Sequence, residues 1–212
     1  MSHYPINHSS TPIRLFQSDF LEFFTHISPV VVVIIWLPVA LLFTARAVMT
    51  ASTPGIPVYI PAGILAGLVV WTFAEYTLHR FVFHFRARGP RQERLLFLFH
   101  GVHHAQPQCK TRLVMPPVVS IPMALVFYGL FYGVVGLGLQ APQWVDPLFA
   151  GFILGYLAYD LAHYATHHFP MRAGYLKFLK RYHMQHHYKT PDARYGVSSP
   201  VWDAVFGTLP PG

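Results

Sequence analysis

His163-Tyr-Ala-Thr-His167-His168, followed after about one helix length of basic and aromatic residues by His183-Met-Gln-His186-His187, decides how this 212-residue chain is read. On an α-helix each residue turns the chain by about 100°, so His163 and His167 lie one above the other, and His183, His186 and His187 share a face. Two such faces brought together make a cage of imidazoles. The pattern recurs upstream, as His79 and His84 five residues apart and as His100-Gly-Val-His103-His104. Ten of the fourteen histidines therefore fall in four clusters with ligand-like spacing. That is more than one tetrahedral ion can use, and we read two metals.

Composition points to a membrane. Charged residues make up 11% of the chain and hydrophobic residues 53%, against roughly 25% charged in an ordinary soluble protein. One domain's length is available. The single cysteine, Cys109, can close no internal disulfide and build no thiolate site, so any metal has nitrogen or oxygen ligands. The net charge of +7 raises the question of nucleic acid, but the basic residues are interleaved with apolar spans, which fits a membrane face and excludes a nucleic-acid binder.

Taken in order, residues 1–26 read as a loose polar tail followed by a short amphipathic helix around Asp19 and Glu22 that lies at an interface. No cleaved secretory signal is visible. Ile27 to Ala45 is free of charge and long enough to cross a hydrocarbon core. Thr53-Pro54-Gly55-Ile56-Pro57 is a turn, after which Val58 to Ala74 makes a second span that emerges carrying His79 and His84. Leu113 to Gln140 forms the third, its start kinked by Pro116, Pro117 and Pro122, with Gly129, Gly133, Gly136 and Gly138 permitting close packing. Pro147 to Leu161 runs back and delivers His163. The predicted fold is all-α: an integral membrane bundle of four transmembrane helices with a cytosolic, histidine-rich helical cap. Thirteen of the fifteen Lys and Arg residues fall in 80–112 or 172–194, which places both segments, every histidine cluster and both termini in the cytosol.

A lone histidine on an apolar face is usually a hydrogen-bonded core residue, and His3, His8 and His26 read that way. His168 adjoins His167 but points elsewhere on a helix. The four spaced clusters are different, because each i, i+3, i+4 triplet projects its imidazoles to one point, and neutral imidazole ligates iron, zinc and copper. His79 and His84, about 140° apart on a helix, serve different metals unless the helix frays at its end. Structural zinc sites favour four ligands and often cysteine, so ten histidines better suit two ions with roughly five nitrogens each and an open position for oxygen. Ferrous iron is held less tightly than zinc by such a set, so the metal found after purification need not be the working one. Glu75 and Asp160, the acids within apolar spans, stand four residues before His79 and three before His163, each placed to accept the outer N–H of a ligand imidazole. The bland alternative is interfacial pairing with Arg80 or Lys177. Tyr159 and Tyr164 can donate to bound oxygen or belong to an interfacial aromatic belt.

At these clusters the sequence resembles the fatty acid hydroxylase and sterol desaturase superfamily of membrane di-metal oxygenases, and within it the fatty acid 2-hydroxylases. The stretches that carry the resemblance are Glu75-Tyr-x2-His79-Arg-Phe-x-Phe-His84, His100-Gly-x-His103-His104, Arg112-Leu-Val-x-Pro116-Pro117, Gly155-Tyr-x2-Tyr159-Asp160-x2-His163-Tyr, His183-x2-His186-His187 and Trp202-Asp203-x2-Phe206. It implies that all ten clustered histidines are metal ligands, and that iron and O₂ insert a hydroxyl at C2 of a long acyl chain, free or part of a sphingolipid. Residues 27–212 are then the membrane di-metal hydroxylase domain and 1–26 its tail and interfacial helix. Eukaryotic relatives often carry an N-terminal cytochrome b5-like domain that 26 polar residues cannot fold, so electrons are expected from a separate donor such as a cytochrome b5-like protein or ferredoxin. That suggests a bacterial inner membrane, or the endoplasmic reticulum if the chain is eukaryotic. The acyl head group is expected among Arg80, Lys110 and Arg112. Rival readings are a sterol or carotenoid hydroxylase, a lipid desaturase, and a non-enzymatic metal-binding membrane protein.

Overall fold

The computed structural model describes residues 4–9, 11–51 and 56–210. His3, the Thr53–Gly55 part of the expected turn and the two terminal residues lie outside them. Every regular element among the described residues is a helix, with no strand among them. Four helical stretches are long and apolar enough to cross a membrane: Pro29–Met49, Tyr59–Phe83, Pro117–Gly138 and Pro142–His168. These are the four expected spans, the second and fourth extended so that His79, His163 and His167 lie within them.

The chain divides into two compact units. The apolar unit comprises Pro29–Thr72 and Met115–Ala158. It contains α2 (Pro29–Met49), most of α3 (Tyr59–Leu78), α6 (Pro117–Phe131) with its continuation Tyr132–Gly138, and the first part of α7 (Val145–His168). Pro117 does not kink α6 but starts it, standing at the first helical position, where its missing N–H costs nothing. Aromatic side chains fill the middle: Trp71 meets Phe152 edge-on at 5.0 Å, Phe43 meets Phe149 at 4.7 Å, and the Trp36 indole donates to Ser120 at 3.2 Å. Outward-facing Ile34, Leu65, Leu125 and Val126 are exposed, an arrangement costly in water and natural against lipid tails.

The glycines that bring helices together are not the expected ones. A Cβ on Gly129 or Gly133 would meet nothing within 4 Å. On Gly67 it would lie 2.1 Å from the Leu148 carbonyl oxygen, and on Gly151 2.0 Å from that of Ile64. Gly63-x3-Gly67 on α3 and Gly151-x3-Gly155 on α7 are reciprocal small-residue faces that let two backbones touch.

The histidine unit comprises Met1–Ser28, Phe73–Val114 and Tyr159–Gly212, and it holds all ten clustered histidines. Besides the ends of α3 and α7 it contains α1 (Asp19–Phe23), α4 (Pro90–Leu96), α5 (Val102–Ala105), α8 (Gly174–Tyr188) and α9 (Val201–Val205). Residues 4–9 and 11–28 are not loose. The Asn7 amide donates to the Ala105 carbonyl at 2.7 Å, the Ile13 amide to Gln106 Oε1 at 2.7 Å, and the Ile27 amide to the Thr111 carbonyl at 2.8 Å. The physical reason is Arg112, whose side chain is 3% exposed and donates to Glu22 and to the Ile13 carbonyl. A buried guanidinium needs a counter-charge, and α1 supplies it. Burial pushes the Glu22 carboxyl up, but the Phe16 and Leu15 amides and Arg112 outweigh it and hold it below the usual range.

Candidate metal centre

The ten histidines gather into two groups of five, each with its ligand atoms within 4.8 Å of one another. The first is His79, His84, His100, His104 and His186; the second is His103, His163, His167, His183 and His187. Two expectations change here. The triplets do not project to one point: His100 and His104 serve the first group and His103 the second, while His183 and His187 serve the second and His186 the first. On a helix i+4 lies about 40° to one side of i and i+3 about 60° to the other, enough to aim neighbours at separate centres. His79 and His84, in turn, share a group. The helix does not fray between them but widens into a π-helical turn, His79–Phe83, whose i→i+5 closure suits residues five apart. A second such turn, Phe97–Gly101, leads into α5.

Within each group the Nε2 atoms converge. In the first, His79 and His100 stand 3.0 Å apart, as do His100 and His104, with His84 and His186 at 3.1 Å. In the second, His103 lies 2.9 Å from His187 and 3.0 Å from His163, and His183 lies 3.0 Å from both His167 and His187. Nitrogens about 2.1 Å from a common ion and at right angles to each other are about 3.0 Å apart. Proton sharing satisfies such atoms only in pairs, whereas a cation at the centre satisfies five together. The donor set therefore fits metal.

Protonation state agrees. Burial, reinforced by neighbouring imidazoles, lowers the pKa of His84, His100, His103, His183, His186 and His187 far below the ordinary value and that of His104 to about 3. These rings are neutral at physiological pH, with a lone pair available to a metal. His79 Nδ1–H donates to the Tyr195 carbonyl at 2.5 Å and His186 Nδ1–H to that of Ala193 at 2.7 Å, which leaves Nε2 of each as the ligand atom. Backbone acceptors carry no signature in the sequence, and these two were not foreseen.

Glu75 does not take the outer N–H of His79. Its carboxylate accepts the Val197 amide at 2.6 Å and the Ser198 amide at 2.8 Å, and Ser198 Oγ as well. It acts on His79 at one remove, by holding the loop that presents Tyr195. Asp160 is 1% exposed, one turn before His163, and Tyr159 stacks on the His163 ring at 5.8 Å. His168 belongs to neither group, and His26 bonds to Thr111 and Arg112 as a structural residue. Arg112, committed to Glu22, is withdrawn from head-group binding, and Arg80 donates to the Tyr76 hydroxyl at 2.7 Å. A cavity of about 160 Å³ reaches both groups, lined by His84, His100, His104 and His187 with apolar walls from Ile6, Phe83 and Leu96.

Comparison with known proteins agrees in sequence and in fold. The family model described as fatty acid hydroxylase matches residues 64–208. A dihydroceramide fatty acyl 2-hydroxylase of Arabidopsis thaliana is 38% identical over 98% of this chain and 84% of its own length. A fatty acid 2-hydroxylase of Mus musculus is 36% identical over 99% of this chain and 59% of its own. The solved structure of full-length scs7p, in which only the hydroxylase domain is visible, superposes with a TM-score of 0.80 at 36% identity, covering 90% of this chain and 70% of that one.

Proposed function

We propose a function from one premise: this chain belongs to the fatty acid hydroxylase family. It is a membrane fatty acid 2-hydroxylase, placing a hydroxyl on C2 of a long-chain fatty acid or of the acyl chain of a sphingolipid. The observation that carries this is the pair of five-imidazole groups, set beside relatives that bear the same activity in their names. Two metal ions, iron in the working enzyme, would supply with O₂ and two external electrons an oxidant able to replace an unactivated hydrogen, which no side chain can do. The first group would hold one ion through His79, His84, His100, His104 and His186, and the second the other through His103, His163, His167, His183 and His187. Zinc binds such nitrogen sets more tightly than ferrous iron, so protein purified without metal control is expected to carry zinc.

The chain's own residues bind, orient and exclude water. The cavity is lined by His84, His100, His104 and His187 together with apolar walls, and C2, next to the acyl head group, would need to enter it without the whole tail being swallowed. Electrons come from a separate donor, a cytochrome b5-like protein or ferredoxin. The basic segments 80–112 and 172–194 support a cytosolic placement of the histidine groups, in a bacterial inner membrane or the endoplasmic reticulum.

The test is lipid mass spectrometry of a host expressing the intact protein. The expected product gains one oxygen at C2; a product lacking two hydrogens would assign a desaturase instead. Asp160 is proposed to steady a ligand ring and Tyr159 to approach bound oxygen. Asp160→Asn, similar in size but a weaker acceptor, is expected to lower activity or metal affinity roughly 10–100-fold. His168→Ala should leave both near the parent's, and the reverse pattern would put His168 at the metals in place of His167.

A further inference from the structure

We propose that Asp203 is a positioning residue for the first histidine group alone, acting through the backbone of residues 195–196. This rests on the reading of the two groups as metal sites. Asp203, on the short helix α9, is fully buried at 0% exposure. Its Oδ1 accepts the Tyr195 amide at 2.8 Å and the Thr208 hydroxyl at 2.6 Å, and its Oδ2 accepts the Gly196 amide at 2.7 Å. Glu75 takes the next two amides, Val197 and Ser198. Four consecutive N–H groups are thus pinned by two buried carboxylates. A Cβ on Gly196 would lie 1.9 Å from the Ser199 carbonyl, so the tight course of this loop also depends on glycine.

Pinning one face of a peptide aims the other. The Gly196 amide held by Asp203 shares its peptide with the Tyr195 carbonyl, which faces His79 Nδ1; two residues upstream the Ala193 carbonyl, whose peptide is held by the Arg194 amide donating to the Thr208 carbonyl at 3.1 Å, faces His186 Nδ1. Both rings belong to the first group. In the second group the Nδ1 atoms of His103, His167, His183 and His187 have no hydrogen-bond partner among the described residues. One loop therefore fixes the tautomer and orientation of two ligands at one centre. A carboxylate is needed because two converging amides require two acceptor atoms, whereas asparagine offers one oxygen and turns an NH₂ toward the other N–H.

The experiment uses full-length protein in detergent, stripped of metal and titrated with Zn²⁺ under buffered free-metal conditions, with metal per chain and melting temperature both read. The parent is expected to take up two ions. Asp203→Asn should bind one with parental affinity and the other roughly 10–100-fold more weakly. Combined with His163→Ala, which removes a second-group ligand, it should bind neither at free zinc that saturates the parent. Thr208→Val removes a hydrogen bond to Asp203 without freeing either amide, and should keep two sites. Asp203→Asn retaining both affinities, or weakening both alike, overturns the proposal, as does Thr208→Val reproducing its effect. Should Asp203→Asn fail to accumulate, Glu75→Gln, which loosens the same loop from its other anchor, carries the same expectation. A parent that binds no zinc defeats the metal reading itself, an outcome distinct from any failure of Asp203.

Discussion

His103→Ala is expected to lower metal content from two ions per chain to about one and to bring 2-hydroxylation below detection. His103 sits centrally in the second group: it lies 2.9 Å from His187 Nε2 and 3.0 Å from His163 Nε2, and is 4% exposed. Its removal leaves four nitrogens around a space that water enters, with no side chain able to replace the fifth. Residues that merely orient a ligand cost roughly 10–100-fold, and a ligand should exceed the upper end of that range. His84→Ala, acting on the other group, should also leave about one ion. Elemental analysis of purified protein together with the lipid product assay reads both effects. Two ions retained in His103→Ala would break the division into two groups of five.

Gly151→Leu is expected to prevent accumulation of folded protein in the membrane. A Cβ there would stand 2.0 Å from the Ile64 carbonyl oxygen and 2.7 Å from its carbon, and both are backbone atoms of a packed helix that cannot swing away. Gly67 faces the reciprocal obstacle at Leu148, so neither helix can yield without displacing the other. Overpacking a core with a few methylenes costs about 1–3 kcal/mol; separating two backbones in contact costs more. Gly129→Ala and Gly133→Ala, where a Cβ meets nothing within 4 Å, should stay within about 0.5 kcal/mol of the parent. Size-exclusion profiles and melting temperatures in detergent separate the two cases. A well-folded Gly151→Leu would show that α3 and α7 do not meet as described.

The four spans were legible because long uncharged runs have few other physical uses, and the histidines because their spacing repeats. Their partition was not. Reading His79 and His84 as 140° apart assumed an α period that the backbone abandons at that point, and nothing in His-Arg-Phe-Val-Phe-His announces a π-helical turn. Glycine number misled where glycine register would have served: the third span is richer in them, yet Gly63, Gly67, Gly151 and Gly155 sit where backbones meet. Arg112 looked like a free cation near a membrane surface because its partner, Glu22, is ninety residues away in sequence. Glu75 is a costly buried acid, as its place in an apolar span implies, but a carboxylate's value to a distant loop cannot be read from its distance to the next histidine.

The segment Phe97–Ala105 and helix α8 each feed both histidine groups, and this sets a kind of ruler. The interval between the two centres is inherited from the pitch of helices and not from the slack of loops, since His103 and His104, like His186 and His187, are neighbours on one backbone. If each group holds an ion, exchanging it for a larger or smaller one would change distances within that group, while the separation of the two groups would still be set by the helices. Engineering new chemistry here by swapping ligands at one centre is thus constrained by the other: each exchange must preserve a gauge that two rigid rods keep for both.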